Sequence, residues 1–189
     1  MILTATEVTI LSNISASVYT LINSTFIDEV QDNITMITNN YFTTNLHLQS
    51  GMTFNPSANT IIAQSSFETQ NIASGDDIYI YNSYRNDGYK TIASVSGETI
   101  TLTSACSVVD ELSNRSILIS VVKWPNIIKR IAAQMIAYDY DIRNRSDPNV
   151  KSFTLGPFSE TYTVGDEDDF GYPRKLTQRL EKYTMIRVM

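Results

Sequence analysis

Residues able to do chemistry are few and scattered along this chain. Cysteine and histidine occur once each, as Cys106 and His47. A disulfide within one chain is therefore impossible, and Cys/His zinc spacing is absent. A thiolate–imidazole nucleophile would need these two side chains to meet; the plainer expectation is that Cys106 fills a strand or turn and His47 sits on a surface. Carboxylates come as adjacent pairs, Asp76/Asp77 and Asp110/Glu111. Neighbours on a strand point to opposite faces, so such pairs make poor acid–base dyads. A denser run, Asp166, Glu167, Asp168 and Asp169, lacks the spaced ligands of an EF-hand loop. No Gly-rich phosphate loop, Gly-x-Ser-x-Gly, His-Glu-x-x-His or Walker pattern is present. The expectation is a protein that is not an enzyme and holds no metal or cofactor.

Two other groups of residues suggest binding. Tyr79, Tyr81, Tyr84 and Tyr89 cluster in sequence. Exposed aromatics can stack on sugars, although tyrosine equally serves half-buried strands and protein interfaces. Near the end of the chain, Arg174, Lys175, Arg179 and Lys182 surround a Leu176, Leu180, Tyr183 stripe, and an apolar tail with Ile186 and Val188 follows. Apolar anchors flanked by bases suit docking on another protein. The charge is unevenly spread: the net value is −6, residues 1–44 and 45–122 are each at −4, and residues 123–189 are at +2. So acidic a chain should not grip nucleic acid through its phosphates. Apolar residues make up 42%, no run of about 18 apolar residues suggests a membrane span, and MILTATEVTIL lacks the features of a signal peptide. The chain is expected to be made in a cytoplasm and kept there or packaged into something assembled there.

The elements that must position these residues read as helix, then strands, then helix. Thr4 and Glu7 form a capping-box pattern that opens a short helix to about Leu11. A second helix, capped by Ser15 or Ser17, carries Ile27, Val30, Ile34, Ile37 and Tyr41 on one face, with Asp28, Glu29 and Asp32 off it. From Leu46 to Val122 the pattern is short strands. Ile78 and Ile80 alternate with Tyr79 and Tyr81, Asn86-Asp87-Gly88 marks a turn, and KTIASV–SG–ETITLTS reads as a hairpin. SILISVV is apolar enough to be a strand covered on both faces. Such close spacing suggests a small barrel or sandwich. Pro125 then opens a helix with Ile128, Ile131, Met135, Tyr138 and Ile142 on one face, the natural partner of the second helix. Strand-like runs flank Gly156-Pro157, and Pro173 opens a last helix.

The expected fold class is therefore α+β: an antiparallel helical bundle frame, an inserted small all-β barrel or sandwich, and a C-terminal helix plus tail. Residues 1–44 and 123–189 form the frame, with a docking segment at about 172–189; residues 45–122 form the insertion, whose two ends must lie close together.

The frame followed by KSFTLGPFSETYTV, Gly171-Tyr172-Pro173 and a terminal segment ending LEKYTMIRV resembles the head–tail connector (adaptor, or head-completion) proteins of tailed bacteriophages. Residues 51–121 resemble a small β module of phage structural proteins, chiefly at Phe54-Asn55, Gly75-Asp76, Ile78, Asn86-Asp87-Gly88 and Val95. The usual connector is smaller and lacks such an insertion. The resemblance implies a virion neck protein: a ring, commonly a dodecamer, beneath the portal protein at the capsid vertex, with downstream tail or neck proteins as further partners. The C-terminal segment would reach a portal cleft, and double-stranded DNA would pass through the ring's channel without specific binding. On that reading Arg174, Lys175, Arg179, Lys182, Tyr183, Ile186 and Val188 are the portal-docking residues. Acids lining a channel would repel DNA and keep it mobile, and Asp166, Glu167, Asp168 and Asp169 are candidates for that lining. The β module would contact capsid, fibre or tail proteins. The alternatives are another neck or tail ring (a stopper or terminator) and a capsid-decoration or glycan-binding module.

Overall fold

A computed structural model describes residues 2–12, 24–67, 71–112, 116–143, 152–155, 158–161 and 170–185. The chain divides into two compact units, one of Tyr41–Trp124 and the other of Ile2–Asn40 with Pro125–Met189.

The first unit is built on an eight-stranded sheet in the order β1-β8-β4-β5-β6-β3-β2-β7. Its strands are β1 (Thr43–Ser50), β2 (Thr53–Asn55), β3 (Thr60–Ile62), β4 (Asp77–Tyr81), β5 (Gly88–Ser96), β6 (Thr99–Leu102), β7 (Glu111–Leu112) and β8 (Ser116–Val122). Every pairing is antiparallel. Alternation decides which side faces the core. On β4, Ile78 and Ile80 are buried while Tyr79 and Tyr81 are half-buried. On β6, Ile100 and Leu102 are buried, with Thr99 and Thr101 on the other face. Phe54, Ile61, Phe67, Ile92, Ile117 and Ile119 join them in the core.

β5 explains the curl. Its first half pairs with β4 and its second half with β6, and the register shifts between Ile92 and Ser94. Such a bulge bends a strand and increases its twist. A two-residue connection follows, in which Gly97 takes a φ of 54°; primed hairpin turns require that sign, and glycine adopts it without a Cβ penalty. β8 is the last strand of this sheet in sequence but lies between β1 and β4, and Ile117, Ile119, Ser120, Val121 and Val122 are all buried. Because the first strand pairs with the last, Thr43 opposite Val122, the unit's two ends emerge side by side.

A second clasp holds the loop between β4 and β5 against the approach to β7. Ser83 Oγ, the Tyr84 and Arg85 N–H groups and Asn86 Nδ2 all donate to the Glu111 carboxylate at 2.7–3.2 Å. Asn86 also donates to the Val109 carbonyl at 2.9 Å and accepts from the Val109 N–H at 2.7 Å. Both side chains are buried and satisfied.

The other unit holds the helices of the described residues. These are α1 (Ala5–Ser12), α2 (Ser24–Thr38), α3 (Asn126–Arg143) and a single turn, α4 (Arg174–Thr177), with a 3-10 turn at Glu181–Tyr183 and a two-stranded hairpin, β9 (Ser152–Leu155) with β10 (Phe158–Thr161). The capping box is present: the Thr4 N–H donates to Glu7 Oε2 at 2.8 Å, and the Glu7 N–H donates to Thr4 Oγ1 at 3.3 Å. Glu7 also pairs with Lys129 of α3 at 2.8 Å. α1, α2 and α4 each pack on α3. Ile2, Leu3, Val8, Ile27, Val30, Ile34, Ile128, Ile131, Met135 and Ile136 are buried there. Gln31, a buried polar residue within α2, accepts the Ile2 N–H at 2.8 Å.

This architecture overturns the expected fold class. A curled antiparallel sheet dominates, and the helices do not make a bundle frame. Among the described residues, α1 has 8 residues and α4 has 4, so only α2 and α3, with 15 and 18, exceed three turns. Nor is the β part a sandwich: it is one sheet, open at the edges formed by β1 and β7. The expected C-terminal helix is a single turn followed by a tighter 3-10 turn. Ser15 and Ser17, the expected caps, lie outside the described residues.

Burial pushes the Glu111 carboxyl pKa up, but the hydrogen bonds from Tyr84, Ser83, Asn86 and Arg85 outweigh it and hold the group below its ordinary value. A carboxyl whose folded pKa lies below its unfolded value stabilises the fold above the unfolded value and loses that contribution as pH falls through the folded one. Glu111→Ala should therefore cost roughly 1–3 kcal/mol at neutral pH. In urea titrations, its deficit against the wild type should shrink as pH is lowered below the ordinary carboxylate range. A deficit that grows on acidification would show that the carboxylate is not the stabilising form.

Candidate functional site

The best-built candidate is the segment Phe170–Met185 in the helical unit. Gly171 takes a φ of 79°, and Tyr172 then turns inward until it is 2% exposed. Its hydroxyl donates to Asp139 Oδ2 of α3 at 2.7 Å and accepts from Asn33 Nδ2 of α2 at 3.3 Å. Burial and the neighbouring Asp139 carboxylate push the phenol's pKa well above its usual value, so the O–H stays a donor. Pro173 opens α4; its carbonyl accepts from the Leu176 N–H at 2.7 Å.

The end of α2 holds the rest of the segment. Asn40 Nδ2 donates to the Tyr183 carbonyl at 3.1 Å, and Asn39 Nδ2 donates to the Met185 carbonyl at 3.1 Å. The Met185 N–H in turn donates to the Thr38 carbonyl at 2.9 Å. That last bond satisfies one of the carbonyls a helix leaves open at its C-terminus. Asn39 takes a φ of 48°, the left-handed conformation that often ends a helix and that asparagine tolerates.

Pinned in this way, the segment buries Thr177 and Leu180, half-buries Leu176 and Tyr183, and exposes Arg174, Lys175, Arg179 and Lys182. Lys175, Arg179 and Lys182 have no acidic partner among the described residues. Glu181 is the one acid among them, so the surface is net basic in a chain of net charge −6. The structure thus brings together five of the residues singled out from sequence. Ile186 and Val188, and the acids Asp166, Glu167, Asp168 and Asp169, lie outside the described residues. Sequence reasoning missed the anchors Tyr172, Asn33, Asn39, Asn40 and Asp139. Only the Gly-Tyr-Pro triplet carried a local signal for any of them.

The sheet unit carries an aromatic cluster. Tyr41, Tyr79, Tyr81 and Tyr89 pack with ring centroids 4.2–6.4 Å apart, and Trp124 lies 4.6 Å from Phe42 and 5.7 Å from Tyr89. Burial, a hydrogen bond with Tyr41 and the surrounding phenols push the Tyr79 pKa well up. Tyr84 is not part of this group; it is 65% exposed on the loop clasped by Glu111. The rings meet tilted or edge to face, which is how tyrosine stabilises a half-buried sheet face. Trp124 Nε1 is buried without an acceptor among the described residues.

Cys106 and the Asp76/Asp77 pair are occupied locally. Cys106 is half-buried, and its Sγ accepts the Thr91 N–H at 3.3 Å. His47 lies on β1 opposite Ile119. Asp76 accepts from the Ala73 N–H and Asp77 from the Thr91 hydroxyl, so these neighbouring carboxylates serve separate contacts. No helix of the described residues is long and apolar enough to cross a membrane.

Tyr172→Phe removes both hydroxyl contacts while keeping the ring. It should cost about 1–2 kcal/mol and speed amide exchange across 170–185 relative to the sheet unit. Unchanged exchange in that segment would show that the hydroxyl is not what holds it.

No protein-family model matches this sequence, and no curated protein sequence matches it.

Proposed function

We propose that this chain is a structural subunit of a bacteriophage virion: a head-to-tail adaptor whose copies form a ring under the portal and extend the DNA channel toward the tail. The observation that carries this reading is the pinned basic segment. It turns Lys175, Arg179 and Lys182 outward, without acidic partners among the described residues, from a backbone fixed by Tyr172, Asn39 and Asn40. Bases held on a rigid support keep an interface's entropy cost low and favour an acidic partner surface. In the adaptor family, the stretch resembling this one is the part that docks on the portal. The remainder of the chain is acidic, which suits a ring that lets DNA slide. On this account, residues 186–189 extend the docking segment, and the acids at 166–169 are candidates for facing the channel.

One observation favours a second position in the same neck. Stopper and terminator rings are dominated by β structure, and the curled eight-stranded sheet is the larger element here. The partner decides between the two: an adaptor binds the portal, whereas a stopper or terminator binds downstream of it.

Reversing Lys175, Arg179 and Lys182 to Glu changes only exposed side chains, so the thermal melt should be unaltered. Co-purification with the portal protein of the same virion should be lost. A reversed variant that still co-purifies at wild-type yield would remove the basic segment as the anchor. A wild type that binds the tail tube and not the portal would select the second position.

A further inference from the structure

The helical unit carries two exposed surfaces that match each other. The first is a groove of about 450 Å³ between α1 and α3, lined by Ile10, Leu11, Ile127, Arg130 and the Glu7–Lys129 pair. Ile10 is 73% exposed, and Leu11 and Ile127 are half-buried beside it. Isolated surface isoleucines are ordinary, but this one stands over a concave apolar floor. Lys129 is neutralised by Glu7, so the charge left at the groove is that of Arg130, which is exposed and has no carboxylate partner among the described residues.

The second surface is the outward stripe of α2. Asp28, Asp32 and Met36 stand four residues apart, hence on one helix face, with Glu29 beside them, and all four are exposed. Met36 is 63% exposed. α2 itself carries no Lys, Arg or His. The two aspartates are one turn apart and repel each other; burial raises the pKa of both, and the Asp28 charge raises that of Asp32 further. The groove offers apolar floor and a guanidinium, and the stripe offers an apolar anchor and carboxylates.

We propose that copies of this chain join through a heterologous contact, in which the α2 stripe of one copy fills the α1–α3 groove of the next. Met36 then lies against Ile10 and Ile127, and Asp28 and Asp32 face Arg130. The inference rests on the ring reading and specifies its subunit interface. Each copy uses two different surfaces, so every contact leaves one groove and one stripe open, and assembly continues until the rotation closes a ring. Complementary charge also explains how a chain with net charge −6 meets its own copies.

The test is a charge swap followed by mass photometry. Arg130→Glu alone, and Asp28→Arg with Asp32→Arg, should each lose the wild-type assembly while retaining its thermal melt. The triple variant, with all three reversed, should recover assembly. The recovered and wild-type assemblies should both weaken as salt is raised, since exposed charges are screened. A wild type that assembles while both reversals assemble equally well overturns this interface and leaves the ring reading standing. Failure of the triple variant to recover also overturns it. A wild type that stays monomeric at every concentration overturns both.

Discussion

The helical unit depends on the apolar face of α3. Ile128, Ile131, Ala132, Ala133, Met135 and Ile136 are all wholly buried along that one helix. Left in water, each large side chain would forgo about 1.5–3 kcal/mol, and a single helix cannot cover itself. α1, α2 and α4 supply the cover. They come from opposite ends of the sequence, so the two ends must be brought to one place. The basic segment follows from this constraint: Tyr172 bonds to Asp139 on α3 and to Asn33 on α2, and residues 183–185 bond to the end of α2. The surface that reads as a docking site is thereby tied to the helix core.

The sheet unit stands on a different device. β5 belongs to both halves of the sheet, and its bulge converts what would be two ribbons into one curled surface around a shared core. Pairing of β1 with β8 brings the ends of the unit together, and the Glu111–Asn86 clasp fixes the loop that carries Tyr84 and Arg85.

Local patterns were legible in the sequence wherever the physics is local. The capping box at Thr4 and Glu7, the first three members of the Ile27, Val30, Ile34, Ile37, Tyr41 stripe, the alternation at Ile78 to Tyr81 and the Gly97 hairpin all depend on residues a few positions apart, whereas the helix ends at Thr38 and Tyr41 belongs to the sheet unit. The meeting of the strand-rich segment's two ends is matched by the β1–β8 pair. What failed depended on distant partners. Leu176, Leu180 and Tyr183 are spaced as a helix stripe, yet after one turn the Leu180, Glu181 and Tyr183 N–H groups donate three residues back, and the Tyr183 and Met185 carbonyls are held by Asn40 and Asn39 beyond the end of α2. The bundle frame failed because periodicity gives a helix's face but not how much of the fold the helices supply. At the candidate site, the exposed bases could be read from their types, whereas Asn39, Asn40 and Asp139 look like ordinary polar residues until the fold places them.

On the proposed reading, many copies of this chain encircle a conduit, which cryo-electron microscopy of the purified protein can image. Class averages should show closed rings of one subunit number with an open centre. Monodisperse monomers, or open filaments that never close, would contradict it.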